Sequence, residues 1–195
     1  MDKSAIKDNL KSSMEVKQKL FDDQDIQDRI NDLSQKIIDV YKNDGKVLFC
    51  GNGGSAADAQ HLAAEFSGRY YYDRPPLFSE ALHVNTSYMT AVANDYSYDV
   101  VYERLIKAMG RKGDVLIALS TSGNSQNVIN ALVQANKADM LTVGFTGESG
   151  GKMKEHCDIL INIPSTNTPR IQECHMLIGH TICEIVEQGL FPKEK

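Results

Sequence analysis

From Lys46 onward, short apolar runs alternate with longer segments of helical spacing, and this alternation constrains the fold more than any other feature. Each run ends in small polar residues, a pattern that predicts βαβ units and a parallel sheet. A weaker strand candidate lies around residues 80–84, and the stronger ones are Val47–Cys50, Val115–Leu119, Leu141–Phe145 and Ile159–Ile163. The sequence therefore predicts an α/β three-layer sandwich with a doubly wound, flavodoxin-like sheet of about five strands.

The N-terminal segment, residues 1–45, has no strand-like run. Its apolar residues recur at three- and four-residue steps, which predicts two helices separated near residues 21–25, where an aspartate can cap the second. Their apolar stripe needs a partner, either the chain's own sheet or another subunit, and the second option implies an oligomer.

The remaining boundaries follow from chain length and proline positions. A last helix is predicted from about Pro169 to Gln188, and the proline-containing segment 70–76 is predicted to be a loop. A chain of 195 residues suits one hydrophobic core, so we expect a single domain over residues 1–195. Within it, residues 46–195 form the α/β core and the N-terminal helices form an oligomer contact.

Composition and charge narrow the ligands and the location. With 26 acidic and 21 basic residues, the formal net charge is −5, which argues against a broad basic surface for nucleic acid. No stretch is apolar enough to span a bilayer, and the polar opening residues do not resemble a signal peptide. We expect a soluble, cytoplasmic protein with no membrane partner, whose four cysteines lack CxxC spacing and stay reduced.

Two predicted strand ends have sequences suited to phosphate. The first strand is followed by a glycine-rich segment, residues 51–55, and the Val115–Leu119 strand by a hydroxyl-rich one, residues 120–125. Ligands of parallel sheets bind beyond the carboxyl ends of strands, where helix N-termini present free N–H groups. Glycines admit close approach of the backbone and hydroxyls hydrogen-bond phosphate oxygens, so the two loops together predict a site for a phosphorylated sugar.

Each loop alone could be an ordinary capped turn. A dinucleotide site is a sharper alternative, because Gly51, Gly53 and Ala56 satisfy the loose GxGxxG/A pattern after a strand. The acidic residue that such a site needs about 20 positions later would be Asp73, which lies in the proline loop and not at a strand end. We rank the dinucleotide site below the sugar phosphate.

Two segments carry side chains suited to metal binding or acid–base chemistry. His61 and Glu65 lie four residues apart on one face of the predicted helix after the first loop, a spacing that can hold zinc but also occurs in surface pairs. On the last helix, His180 shares a face with both Gln172 and Glu173, and helical spacing does not choose between them. His175 and His180 could also be core or interface histidines.

Ordered matches along nearly the whole chain make it resemble the phosphoheptose isomerases (sedoheptulose 7-phosphate isomerases) of the sugar-isomerase (SIS) domain superfamily. The matching segments are Cys50-Gly51-Asn52-Gly53-Gly54-Ser55, Asp58-Ala59-Gln60-His61 with Glu65, Arg69 with Arg74-Pro75, Ala93-Asn94-Asp95, Gly113-Asp114-Val115-Leu116, Ser120-Thr121-Ser122-Gly123-Asn124-Ser125, Thr146-Gly147 with Gly150-Gly151, and Arg170-Ile171-Gln172-Glu173 with His180.

This resemblance implies a homotetrameric aldose–ketose isomerase that converts D-sedoheptulose 7-phosphate to D-glycero-D-manno-heptose 7-phosphate through an enediol. That reaction is the first step towards ADP- or GDP-heptose precursors, which feed lipopolysaccharide, capsule or another glycan. The resemblance also implies one Zn²⁺ per subunit, held by His61, Glu65, Gln172 and His180, with Glu65 and His180 as the acid–base pair. The implied substrate contacts are Asn52, Gly53, Gly54, Ser55, Glu65, Asn94, Asp95, Ser120, Thr121, Ser122, Ser125 and Gln172.

Two alternatives accompany the resemblance. Replication-initiator-associating proteins share the two loops and the tetramer but lack the acid–base pair, so Glu65 and His180 favour the enzyme. An isomerase of another sugar phosphate is the second alternative. The chain departs from some relatives at Pro169, where they have an acidic residue, and any role of that residue is not carried over.

Overall fold

The computed structural model describes residues 4–193, which contain a five-stranded sheet with only parallel pairings. The strand order is β2-β1-β3-β4-β5, which confirms the doubly wound, flavodoxin-like prediction. The weak candidate near residues 80–84 is the short edge strand β2. The strands are β1 (Val47–Gly51), β2 (Ser79–Ala81), β3 (Val115–Ser120), β4 (Leu141–Thr146) and β5 (Ile159–Asn162).

Helices connect the strands and precede them. Asp23 separates the first two helices and accepts a hydrogen bond from the Ile26 N–H at 3.0 Å, which confirms the predicted cap. Residues 70–76 form a loop, as predicted. The helices are α1 (Ser4–Asp22), α2 (Gln24–Lys42), α3 (Gly54–Ser67), α4 (Thr86–Asp95), α5 (Val101–Met109), α6 (Gln126–Lys137) and α7 (Thr168–Leu190), with 3₁₀ turns at Tyr98–Val100 and Gly151–His156.

The core lies in two layers because successive residues of a strand face opposite sides of the sheet. Val47 and Phe49 of β1 pack with α2, α3 and α7, whereas Leu48 and Cys50 pack with α4, α5 and α6. Strands β1 and β3 are buried at every residue, since helices cover both faces. This arrangement is the predicted three-layer sandwich, and it sets α3 and α7 side by side on one face.

The two N-terminal helices differ in how they are buried. Helix α2 packs Ile26, Leu33 and Ile37 into the core of its own chain. Helix α1 leaves Ile6 and Leu10, together with Met14, more than half exposed at four-residue spacing. Helix α7 and strand β5 of the same chain therefore account for the stripe on α2, and most of the stripe on α1 faces outward.

Two further sequence features have structural counterparts. Cys50, Cys174 and Cys183 are buried, Cys157 is partly buried, and all four thiols are free. Burial raises the pKa of the Cys157 thiol to about 12, assisted by Asp158, so it stays protonated and unreactive at neutral pH. Across residues 4–193, no helix combines the length and apolarity that crossing a membrane requires.

Candidate active site

The switch point of the sheet lies between β1 and β3. The chain leaves β1 towards β2 on one side and leaves β3 towards β4 on the other. In doubly wound sheets the loops that follow two such strands diverge, and a ligand crevice opens between them. The glycine-rich and hydroxyl-rich loops follow these two strands.

The glycine-rich loop after β1 leads directly into α3. Gly53 precedes the helix with φ +56° and ψ −123°, a conformation that L side chains rarely adopt, and a Cβ there would meet open space. A Cβ on Gly54 would collide with the side-chain amide of Gln172 from α7. Ser55 is buried beneath the loop. The backbone N–H groups at the start of α3 therefore border open space beside Gly53, with Gln172 close by.

The hydroxyl-rich loop after β3 gathers three serines. Ser120 Oγ lies 3.1 Å from Ser125 Oγ and 3.5 Å from Ser122 Oγ. Ser125 is the N-cap residue of α6, yet its side chain does not cap the helix and instead faces Ser120. At Gly123 the backbone has φ +65° and packs so closely on Gly150 that no side chain fits. The loop thus presents convergent hydroxyls at a helix N-terminus, an arrangement suited to an anion.

An asparagine that sequence reasoning missed joins the two loops. Asn127, in the first turn of α6, is buried and pairs amide to amide with Asn52: Asn52 Nδ2 donates at 2.8 Å and Asn127 Nδ2 donates back at 3.0 Å. The Tyr98 hydroxyl donates to Asn52 Oδ1 at 3.1 Å, and the Tyr102 hydroxyl donates to the Gly51 carbonyl. The one sequence signal for Asn127 was its polar side chain among the apolar residues that α6 buries. The pairing ties the glycine-rich loop to the first turn of α6, directly after the hydroxyl-rich loop.

A cluster of three ligand-type side chains lies where α3 and α7 pack together. His61 Nε2 is 3.0 Å from Glu65 Oε1 and 3.2 Å from His180 Nε2, and the three ligand atoms lie within 4.8 Å of one another. The helices approach closely because Gly179 packs against the Leu62 side chain. Two imidazoles and a carboxylate converging on one point form a donor set that suits a metal ion.

Groups around the cluster also suit a metal site. Asp58, one turn before His61, has a buried Oδ2 with no hydrogen-bond partner among residues 4–193. Burial raises the pKa of Asp58 to about 6, while His61 acts to lower it. The Tyr70 ring lies 5.8 Å from the His180 ring, centroid to centroid. Asp58 therefore places a second carboxylate within electrostatic range of His61, with one oxygen still free to accept a hydrogen bond.

The other polar residues of α7 lie elsewhere. Gln172 lies beside Gly54, eight residues before His180 and so about 12 Å away along the helix axis. Glu173 instead binds Arg170 and accepts a hydrogen bond from Ser13 of α1 at 2.8 Å. Glu173 is thus engaged by Arg170 and α1, and Gln172 lies at the glycine-rich loop.

His175 and the Asn94–Asp95 pair take different positions. His175 is fully buried, with its Nε2 at 3.1 Å from the Thr146 carbonyl, and burial lowers its pKa to about 4, so it is a core histidine. Asn94 Nδ2 donates to Asp95 Oδ1 at 2.9 Å at the end of α4. The chain then returns to the crevice at Tyr98, which contacts the first loop.

Comparison with known proteins finds a family model and several similar relatives. A family model of the SIS domain matches residues 11–147. The chain is 47% identical to "Phosphoheptose isomerase" of Sulfurimonas denitrificans over 189 residues, 97% of each protein. It is 50% identical to "Phosphoheptose isomerase 2" of Campylobacter jejuni over 190 residues, covering 97% of this chain and 94% of that protein.

Two solved structures of phosphoheptose isomerases are also similar to this chain. The phosphoheptose isomerase of Neisseria gonorrhoeae superposes with a TM-score of 0.89 at 39% identity, covering 95% of this chain and 98% of that one. The enzyme of Francisella tularensis gives 0.91 at 32% identity, with coverage of 95% and 97%. The chain therefore belongs to the phosphoheptose isomerase family of SIS-domain proteins.

Proposed function

We propose that this protein isomerises D-sedoheptulose 7-phosphate to D-glycero-D-manno-heptose 7-phosphate, the first step towards activated heptose. The observation that carries the proposal is the His61–Glu65–His180 cluster, because capturing a phosphate needs no such group. Relatives named phosphoheptose isomerase, at about half identity over nearly full length, support the substrate assignment.

The crevice at the switch point would hold the phosphate. Ser120, Ser122 and Ser125 supply hydroxyls, and the first turns of α3 and α6 supply N–H groups with the partial positive charge of a helix N-terminus. Thr121 belongs to the same loop and would add a fourth hydroxyl. The sugar would extend past residues 52–55 and the Asn94–Asp95 pair, where backbone and amide groups can bind its hydroxyls.

The chemistry requires one proton to move between neighbouring carbons. Glu65 would take the proton from C1 of the ketose, forming the enediol, and return it to C2 to give the aldose. His180 would move the hydroxyl proton between O1 and O2 as the carbonyl changes position. A well-placed acid or base of this kind contributes about 10²–10⁴-fold to rate.

Zinc is the proposed metal, since it favours tetrahedral sites of imidazole nitrogen and carboxylate oxygen. His61, Glu65 and His180 would supply three ligands, and Gln172 is the proposed fourth. When bound, zinc would polarise the substrate carbonyl and stabilise developing negative charge on oxygen. Because Gln172 lies beside Gly54, it belongs with the crevice and not with the cluster of its own chain.

The distance between the crevice and the cluster of one chain indicates how chains assemble. Glu65 lies eleven residues beyond Gly54, about 16 Å along α3 and away from the carboxyl edge of the sheet. A base must come within about 3 Å of its proton. We therefore propose that each site combines the crevice and Gln172 of one chain with the cluster of a neighbour, in a cytoplasmic homotetramer.

The outward-facing residues of α1, Ile6, Leu10 and Met14, supply an apolar contact surface for a second copy.

The direct test is incubation with sedoheptulose 7-phosphate and detection of the aldose. Glu65→Gln should retain the tetramer and sugar phosphate binding but lose turnover by at least about 10²-fold, since the amide is not a base. Near-normal turnover in that variant would rule out Glu65 as the base. If the wild-type protein binds the sugar phosphate without converting it, the non-catalytic alternative replaces the enzyme.

The metal has its own test. Dialysis against a chelator should abolish or strongly reduce turnover, because the substrate carbonyl would lose the cation that polarises it. Zinc should restore turnover by binding again at the three ligand atoms of the cluster. Full activity in protein whose metal content is measured as zero would remove zinc from the scheme.

A further inference from the structure

A buried ion pair lies where the segment 70–76 crosses α3 and α7. Arg74 Nε donates to Glu187 Oε1 at 3.2 Å, and their side chains are 2% and 1% exposed. Burying two charges is costly unless their remaining hydrogen-bonding groups are also satisfied. The other partners of these two side chains therefore indicate what the pair holds in place.

The guanidinium of Arg74 binds the end of α3. It donates to the backbone carbonyls of Glu65 at 2.8 Å, Phe66 at 2.7 Å and Gly68 at 3.2 Å. The last carbonyls of a helix have no intrahelical partner, so a fork of N–H donors can fix their positions. One of these carbonyls belongs to the proposed base itself.

The carboxylate of Glu187 binds the start of the segment 70–76. It accepts the backbone N–H of Tyr70 at 2.9 Å and that of Tyr71 at 2.8 Å. Burial acts to raise the pKa of Glu187, but these N–H groups and Arg74 outweigh it, and the pKa falls below its ordinary value. The loop so held carries the Tyr70 ring that contacts His180. Glu187 also follows His180 on α7 by seven residues, about two turns, and so lies on the same face.

We propose that Arg74 and Glu187 are a positioning pair that sets the separation of Glu65 and His180. The inference rests on the proposed function. The pair touches the backbone of Glu65 on one side and, through Tyr70, the ring of His180 on the other, while joining the two helices that carry them. Loosening it would let α3 and α7 shift relative to each other at the cluster, where their close contact is between Leu62 and Gly179.

The chain offers a matched control on a different edge of the sheet. Asp114 is buried, binds Lys46 Nζ at 2.6 Å and accepts two backbone N–H groups, from Lys46 at 3.1 Å and Arg111 at 2.8 Å. It therefore has the same set of partners as Glu187, one cation and two amides. Asp114 precedes β3 at the amino edge, whereas the crevice lies at the carboxyl edge.

The experiment compares Glu187→Gln with Asp114→Asn in the full-length, zinc-loaded protein. Both should lower the melting temperature, because each neutralises a buried carboxylate. Only Glu187→Gln should lower kcat, by about 10- to 100-fold, with a smaller change in KM, and speed zinc release to a chelator by a similar factor. Arg74→Lys, which keeps the charge but loses the fork, should lower kcat in the same direction and serves if Glu187→Gln does not fold.

Equal effects of the Glu187 and Asp114 variants on kcat and zinc release, at matched loss of melting temperature, would overturn the positioning role. So would wild-type kcat and zinc release in folded Glu187→Gln or Arg74→Lys protein. A wild-type protein that does not convert sedoheptulose 7-phosphate would overturn the proposed function instead. The zinc-release comparison needs no turnover and would still decide the role of the pair.

Discussion

Mixing two inactive variants tests whether each active site is shared between chains. One variant, Glu65→Gln, damages the cluster and leaves the crevice intact. The other, Ser120→Ala with Ser125→Ala, removes the two hydroxyls that lie 3.1 Å apart in the crevice and leaves the cluster intact. Neither tetramer alone should isomerise the heptose phosphate at an appreciable rate. Their co-assembled mixture distinguishes a shared site from one built within a single chain.

The loss expected from the crevice variant follows from its hydrogen bonds. Each hydroxyl that donates to a charged phosphate contributes about 1.5–3 kcal/mol. Losing both therefore costs about 3–6 kcal/mol, or about 10²–10⁴-fold in kcat/KM. In a symmetric tetramer assembled at random from equal amounts, half of the crevices and half of the clusters are intact, so about one quarter of shared sites are complete.

The assay is the initial rate with substrate well below KM, on tetramers assembled by co-expression of the two differently tagged chains. About a quarter of wild-type activity is the expected result, against almost none if each site belongs to one chain. The matched control mixes Glu65→Gln with His180→Ala. Both residues lie in the cluster of the same chain, so this mixture should stay inactive. Absence of recovery in verified mixed tetramers would refute the shared site.

Two further predictions concern residues outside the cluster. Asn127→Ala removes the amide that pairs with Asn52, and should raise KM by about 5- to 100-fold, corresponding to about 1–3 kcal/mol, with less effect on kcat. Asn130→Ala, on the same helix as Asn127, loses its bond to the Asp99 carbonyl and the one it accepts from Gln126 but keeps the Asn52–Asn127 pair, and is the steady-state kinetic control. Because His175 has a folded pKa of about 4 against 6.5 unfolded, stability is complete above pH 6.5 and falls as the pH drops towards 4. Urea unfolding at pH 7 and 5 should show a loss of about 2 kcal/mol that His175→Gln largely removes.

The sheet was predictable because helices cover both of its faces. Strands β1 and β3 are buried throughout and read as continuous apolar runs, which periodicity detects. Strand β2 was a weak candidate because it is a three-residue edge strand whose central Glu80 is exposed. Its hydrogen bonds to β1 define it, and they depend on a neighbour that local sequence does not reveal.

The site was predictable only in its local parts. The spacing of His61 and Glu65 follows from one helix, but their meeting with His180, 119 residues later, depends on how α3 and α7 pack. Neither Asn127 nor Glu187 attracted notice, because periodicity reports where apolar side chains face and says nothing of which polar group a buried amide or carboxylate will meet. Those partners come from distant segments brought together by the sheet.

The division between crevice and cluster also explains why phosphate loops alone do not specify catalysis. The crevice follows from the sheet: once β1 and β3 adjoin at the switch point, the loops after them must diverge, and glycine and serine there suffice for an anion. The cluster depends instead on the approach of α3 and α7 and on the contacts that hold it. A chain could keep every crevice residue and lose Glu65 without disturbing the sheet. The proposed roles of Glu65 and His180 therefore depend on the geometry of those two helices.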